Sequence, residues 1–169
     1  MKCIMCDNKK ELKKAKTTMK YKQCGLDNVV LHGVEYFKCE QCGEEYYGFG
    51  DQESLHSLIA KALIMKKSVL RGGELKFLRT FLGLSSAILA ARVGVTKETI
   101  SRYEHEKYPI PKTFDLLMKS LVANKLPDRS YDFHDAWLNK HSKDFKRIEL
   151  NAEKDGWKLC ASSQHLAFT

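Results

Sequence analysis

Four cysteines fall in two matched pairs, Cys3-x-x-Cys6 and Cys39-x-x-Cys42, with 32 residues between them. Two intervening residues let a tight turn aim both thiolates at one centre. Two such turns build a tetrahedral zinc site with Zn–S bonds of about 2.3 Å. Gly43 tolerates the positive φ such a turn needs, and Asp7-Asn8 are the next best choice after the first pair. Four thiolates fill the coordination sphere and leave no open position, so the expected cofactor is one structural Zn2+ held by Cys3, Cys6, Cys39 and Cys42. Residues 1–50 have too little core to be stable alone, and metal binding would supply the difference. Disulfides are disfavoured because nothing places the chain in an oxidising compartment. A thiol oxidoreductase would explain one pair and not two, and no βαβ pattern surrounds either. Cys24 and Cys160 are read as non-ligands, with Cys24 the substitute if the paired turns are misread. The six histidines have no ligand-like spacing and are read as solvated or packed.

A second constellation runs from Leu84 to Glu104. A short helix from Ser86 to Val93 is expected to turn Ile88, Leu89 and Ala90 inward. Gly94 makes a tight turn, Val95 plugs the junction, and Thr96 caps a second helix through its side-chain oxygen. Ile100 and Tyr103, three apart, hold that helix to the core. Lys97, Thr99 and Arg102 stay outside, near its N-terminal half. That is the layout of a helix-turn-helix, whose second helix enters the major groove by its N-terminal residues. Bland readings compete for single side chains: Glu98 and Arg102 are spaced for a surface ion pair, and Lys97 could simply be solvated.

Charge and periodicity show what must position these groups. The chain has 169 residues and a net charge of +8, which favours an acidic partner such as nucleic acid. Residues 1–50 carry +2, residues 51–125 carry +6 and residues 126–169 are neutral, so the excess sits with the helix-turn-helix. Residues 1–50 hold strand-like stretches: Thr17, Met19 and Tyr21 alternate with lysines, and Val29 to Lys38 is β-branched and aromatic. Cys24 to Asn28 has the residues of a turn. Leu55, Leu58, Ile59, Ala62 and Leu63 then follow one face of a linker helix over 51–70. Gly72-Gly73 interrupts the pattern, Glu74–Leu82 reads as the next helix, and Phe114, Leu117, Met118 and Leu121 mark a last one. In the tail, Phe145–Leu150 and Trp157–Ala161 flank a turn and read as a hairpin. The fold class is therefore α+β. A zinc-bound β module spans 1–50 and a linker helix 51–70. An all-α five-helix DNA-binding domain spans 71–125, and a β-containing extension spans 126–169. The N-terminal and helical parts are expected to have separate cores. The longest apolar run, Ala87 to Ala91, falls far short of the roughly 18 residues of a membrane span. The opening residues lack an apolar signal core, so a cytoplasmic location away from membranes is expected.

The segment Gly94-Val95-Thr96 with Ile100-Ser101-Arg102-Tyr103-Glu104 resembles the Xre/Cro-type helix-turn-helix family. That resemblance implies a phosphate contact from the first position of the first motif helix, often Gln in the family and Ser86 here. With the four-cysteine module (Met1-Lys2-Cys3-Ile4-Met5-Cys6, then Cys39-Glu40-Gln41-Cys42-Gly43-Glu44-Glu45-Tyr46) the order is similar to the MqsA antitoxins, also described as YgiT-type zinc-finger proteins. The resemblance covers residues 1 to about 125. It implies a zinc module that neutralises a partner toxin, typically an mRNA-cleaving ribonuclease. It also implies a helix-turn-helix homodimer that represses its own operon on a palindromic double-stranded operator. Ser86, Thr96, Lys97, Glu98, Thr99 and Arg102 become the DNA-binding candidates, with Arg102 foremost. Glu98 stands where the family has another polar residue, and it either reads a cytosine amino group or restrains Arg102. A stand-alone zinc-containing transcription regulator without a toxin is the alternative. An enzyme is not expected, since no open metal site and no nucleophile–base pair is found. The tail has no counterpart in the short antitoxins; extending a dimer, covering a sheet edge and binding a further partner all stay open for it.

Overall fold

The computed structural model describes residues 3–6, 12–126 and 147–160. Three strands come first: β1 (Lys13–Lys20), β2 (Val29–Lys38) and β3 (Glu45–Gly48). Five helices follow: α1 (Gln52–Met65), α2 (Gly72–Phe81), α3 (Ser86–Val93), α4 (Lys97–Glu104) and α5 (Lys112–Lys125). The described chain closes with β4 (Ile148–Glu153) and β5 (Gly156–Leu159). The architecture is thus a cysteine-rich β module, a linker helix, an all-α region and a β-containing extension.

All five strands belong to one sheet organised on β2. β1 lies antiparallel along one edge, from Lys13 opposite Lys38 to Lys20 opposite Val30. The other edge is shared. β4 runs parallel to its first half, Val29 opposite Ile148 to His32 opposite Asn151. β3 runs antiparallel to its second half, Glu35 opposite Gly48 to Lys38 opposite Glu45. Gly33 separates the two halves. It has φ +72°, and one extra β2 residue is accommodated there, since Thr17 pairs with Val34 but Met19 with Leu31. A bulge of this kind calls for the positive φ that glycine tolerates. The tail hairpin therefore covers a sheet edge, with Lys154-Asp155 as its two-residue turn and β5 antiparallel to β4. Phe145, Lys146 and Ala161 of the expected hairpin lie outside the described residues. So do Asp7-Asn8 of the first cysteine turn. The outer edge, β1, is lysine-rich and exposed, a composition that discourages further strand pairing.

The expectation of separate cores does not hold. Val29, Leu31 and Val34 of β2, Leu55, Ile59 and Leu63 of α1, Leu75 and Leu78 of α2, Ile100 of α4, Met118 and Val122 of α5, and Ile148 and Leu150 of β4 belong to one buried apolar cluster. The linker helix is central to it: its apolar positions recur on one face, where Leu55, Ile59, Ala62 and Leu63 are buried and Leu58 is partly buried. Asp51 caps this helix by accepting from the N–H groups of Glu53 and Ser54. Trp157 ties the tail in by donating its indole N–H to the Phe49 carbonyl at 2.9 Å. Two core assignments change. Ile88 is exposed, because α3 offers its narrow buried face through Leu89 and Ala90. Leu117 is also exposed; on α5 the buried stripe is Phe114, Met118 and Val122, spaced by four.

The turn joining α1 to α2 is held by four buried charged side chains, Lys66, Glu74, Asp115 and Lys119. Lys66 Nζ donates to both Glu74 carboxylate oxygens at 3.1 and 2.8 Å. Lys119 Nζ lies 2.9 Å from Asp115 Oδ2 and also donates to the carbonyls of Lys66 (2.8 Å) and Ser68 (3.1 Å). Asp115 Oδ1 accepts from the Leu70 N–H, and Glu74 Oε2 from the Arg71 N–H, both at 2.8 Å. Every charge is paired, and the turn's main-chain groups complete the hydrogen bonding, which is the condition for burying ions without severe cost. Gly72 opens α2 instead of merely ending α1. A Cβ there would come within 2.4 Å of the Glu104 carbonyl oxygen, so only glycine permits this approach of α2 to the end of α4.

Removing one member of the buried network strands its partner. Lys119→Met is expected to lower unfolding free energy by about 3–5 kcal/mol in urea titrations; a loss near zero would show that Asp115 rehydrates freely. Gly72→Ala is expected to cost about 1–3 kcal/mol by overpacking, measured the same way.

Candidate metal centre and nucleic-acid interface

The Sγ atoms of Cys3, Cys6, Cys39 and Cys42 all lie within 4.8 Å of one another. Cys3–Cys42 and Cys6–Cys39 are each 3.6 Å apart. A tetrahedron with metal–sulfur bonds of about 2.3 Å has edges of about 3.8 Å, so the four thiols fit one divalent soft or borderline ion. The second cysteine turn is built as its composition requires. Gly43 has φ +75° and donates its N–H to the Cys39 carbonyl at 2.9 Å, and the Cys39 N–H reaches the Glu44 carbonyl at 2.9 Å. Cys3 and Cys39 are buried, Cys6 is half-buried and Cys42 is exposed. Tyr46 supports the cluster from β3. Its hydroxyl is 3.5 Å from Cys3 Sγ and accepts the Ile4 N–H at 3.2 Å. This hydroxyl contact holds the Cys3 thiol below its ordinary pKa, against the opposing effect of burial. It favours the thiolate that a metal needs. Cys24 lies elsewhere; its thiol donates to the Tyr21 carbonyl at 3.0 Å, and burial pushes its pKa up.

The metal end has its own small apolar cluster, Cys3, Leu12 and Cys39, with Cys6, Phe37 and Tyr46 packed on it. Strand β2 crosses the boundary. Its first half is in the main core, and its last residues lead into Cys39.

At the other end, α3 and α4 form the expected helix-turn-helix. Gly94 ends α3 with φ +71°, and Val95 donates to the Ala90 carbonyl at 3.0 Å. Thr96 Oγ1 accepts the Thr99 N–H at 3.2 Å and lies 3.0 Å from Thr99 Oγ1, so both hydroxyls take part in the cap of α4. Ile100 is fully buried, and Tyr103 contacts Phe114 with ring centroids 5.3 Å apart. Glu104 forms a two-pronged pair with Arg79: Nε to Oε1 is 2.5 Å and Nη2 to Oε2 is 3.2 Å. Arg79 also donates to the Leu84 carbonyl at 2.8 Å. That clamp joins α2, the start of α3 and the end of α4.

Thr96, Lys97, Glu98 and Arg102 are exposed, while Ser86 and Thr99 are half-buried. The Arg102 guanidinium lies 5.2 Å from the centroid of the Tyr108 ring. Sequence reasoning missed Tyr108, because the contact spans the end of α4 and follows no helical spacing. Tyr46 ends the second cysteine motif in the sequence, but its contact with Cys3 is legible only once β3 is paired beside the cysteines. His32, Glu149 and Cys160 come together as well, their ligand-type atoms within 4.8 Å of one another. No helix among the described residues is long and apolar enough to cross a membrane.

No family model, curated protein or solved structure matches the chain.

Because the metal end has its own small apolar cluster while the first half of β2 is held in the main core, Cys39→Ser is expected to unfold only the metal end. Hydrogen exchange should accelerate over residues 35–48 and stay slow in α1, α2 and α5. Uniform acceleration across the helices would show that the metal end and the main core open together.

Proposed function

We propose that the chain is a zinc-containing, DNA-binding transcription regulator in which α4 enters the major groove of an operator. The observation that carries this reading is the joined pair α3–α4, capped and clamped with Lys97, Glu98 and Arg102 exposed on the second helix. Charge supports it. Residues 51–125 carry a net +6, and the internal pairs Lys66–Glu74, Asp115–Lys119 and Arg79–Glu104 are each neutral, so the excess remains for a polyanion. The amide-rich start of α4 adds a favourable field for phosphate. In this reading Arg102 contacts a base edge or phosphate, with Tyr108 holding its guanidinium, and Ser86, Lys97 and Thr99 contact the backbone. Thr96 sets the helix start, and Glu98 either accepts from a cytosine amino group or excludes other bases. Two copies on a two-fold operator are the natural arrangement for such a motif. The four-cysteine cluster holds one structural Zn2+. Four thiolates suit zinc and leave no coordination position for a substrate, which supports a non-enzymatic role.

An antitoxin function is a narrower form of the same proposal. It is supported by the motif order resembling the MqsA antitoxins. Ile4 and Met5 are exposed apolar side chains between the first two cysteines, a surface suited to a protein partner. A neighbouring reading frame that is toxic alone and rescued by this chain would support it. A lone gene would leave the regulator without a toxin.

Gel-shift titration against the chain's own upstream region tests the interface. Arg102→Ala is expected to weaken specific binding by about 1–3 kcal/mol, and Tyr108→Ala by about 0.5–1 kcal/mol through loss of the cation–π contact. Unchanged affinity in Arg102→Ala would remove α4 from the interface.

A further inference from the structure

We propose that His32, Glu149 and Cys160 form a second metal site, open on one side, for an exchangeable divalent transition ion such as Zn2+ or Co2+. The three residues stand on neighbouring strands and on one face. The fully buried Leu31 and Leu150 point into the core, so His32 and Glu149, each one residue along its strand, turn to the opposite face. Cys160 follows β5 and lies across from Glu149, donating its N–H to the Glu149 carbonyl at 2.9 Å. Side-chain geometry completes the cluster. His32 Nε2 is 3.9 Å from Glu149 Oε2, and all three ligand-type atoms are within 4.8 Å. Metal bonds of about 2.0–2.3 Å to N, O and S place neighbouring ligands about 3.3–3.8 Å apart, a small contraction from the distances seen.

Two neighbours orient the ligands. Thr18 Oγ1 is 3.2 Å from His32 Nδ1. With Nδ1–H donating to that hydroxyl, the Nε2 lone pair faces the glutamate and cysteine, the arrangement usual for a metal-bound histidine. Arg147 Nη1 lies 3.6 Å from Glu149 Oε1, leaving Oε2 directed at His32. The donor set of one imidazole, one carboxylate and one thiolate suits zinc and its neighbours, and three protein ligands leave a fourth position for water or an incoming ligand. His32 and Glu149 side chains are 34% and 25% exposed, so an ion can enter and leave. The site would differ in kind from the closed four-cysteine cluster. Its occupancy would add a staple between the β4–β5 hairpin and β2, making the stability of that attachment rise with free metal.

The test is metal stoichiometry of the full chain, stripped of metal and titrated with Co2+ under reducing conditions. Two ions per chain are expected: a tight one with a four-thiolate absorption signature, and a weaker one removed by a mild chelator. His32→Gln and Cys160→Ser should each abolish the weaker ion and leave the four-thiolate spectrum intact. Thr18→Val should weaken that ion by about 10-fold, with Thr18→Ser restoring it. Hydrogen exchange in β4 and β5 should slow only when the second ion binds. One ion per chain in the unaltered protein, or two ions retained in both ligand variants, would overturn the proposal.

Discussion

The arrangement of the whole molecule depends on how one short turn buries four charges. Residues 66–70 join α1, which packs on the sheet, to α2, which begins the rest of the helical region. Their main-chain groups are satisfied by Lys119 and Asp115 from α5. Lys66 and Glu74 close the same turn from its two ends. Such a network specifies geometry more than it adds stability, since its members must all be paired or each becomes costly. A displaced α2 would strand several of them together. The sheet therefore dictates where α2 lies, and α2 dictates α4 through the Gly72 contact with the Glu104 carbonyl and the Arg79–Glu104 clamp.

This continuity changes the meaning of the N-terminal module. β2 gives its first half to the main core and its last residues to the metal cluster, while the tail hairpin completes the sheet beside it. The helices α1 to α5 are thus a long excursion between strands of one sheet. A metal at the cysteine end would order the tip of β2 and β3, with the helices supported independently by their own apolar contacts.

Much of the chemistry was legible from spacing because it is local. A C-x-x-C turn places two thiols within a few residues, and Gly43 and Gly94 mark positions where the backbone needs positive φ. The strand β2, the cap at Thr96 and the helix pair α3–α4 all follow from residue type and period, whereas the cap at Asp51 emerges from the structure. Where periodicity misled, it did so at the rim of a face. Ile88 and Leu117 sit one step beyond the buried stripe, and a hydrophobic residue there obeys the same spacing while remaining exposed. The buried lysines and acids were not legible, because a lysine on a helix reads as solvated until its partners arrive from another helix.

By itself, then, the sequence determined the paired cysteine turns, the helix-turn-helix and the location of the positive charge, since each depends on contacts within a few residues. Only the tertiary structure decided that one core unites the β and α parts and that β4 lies parallel to β2. It also decided that Arg102 rests on Tyr108 and that His32, Glu149 and Cys160 meet. Those outcomes join residues up to more than a hundred positions apart. Such pairings are selected by which apolar faces can be buried together and which buried charges can find partners, conditions that no local pattern expresses.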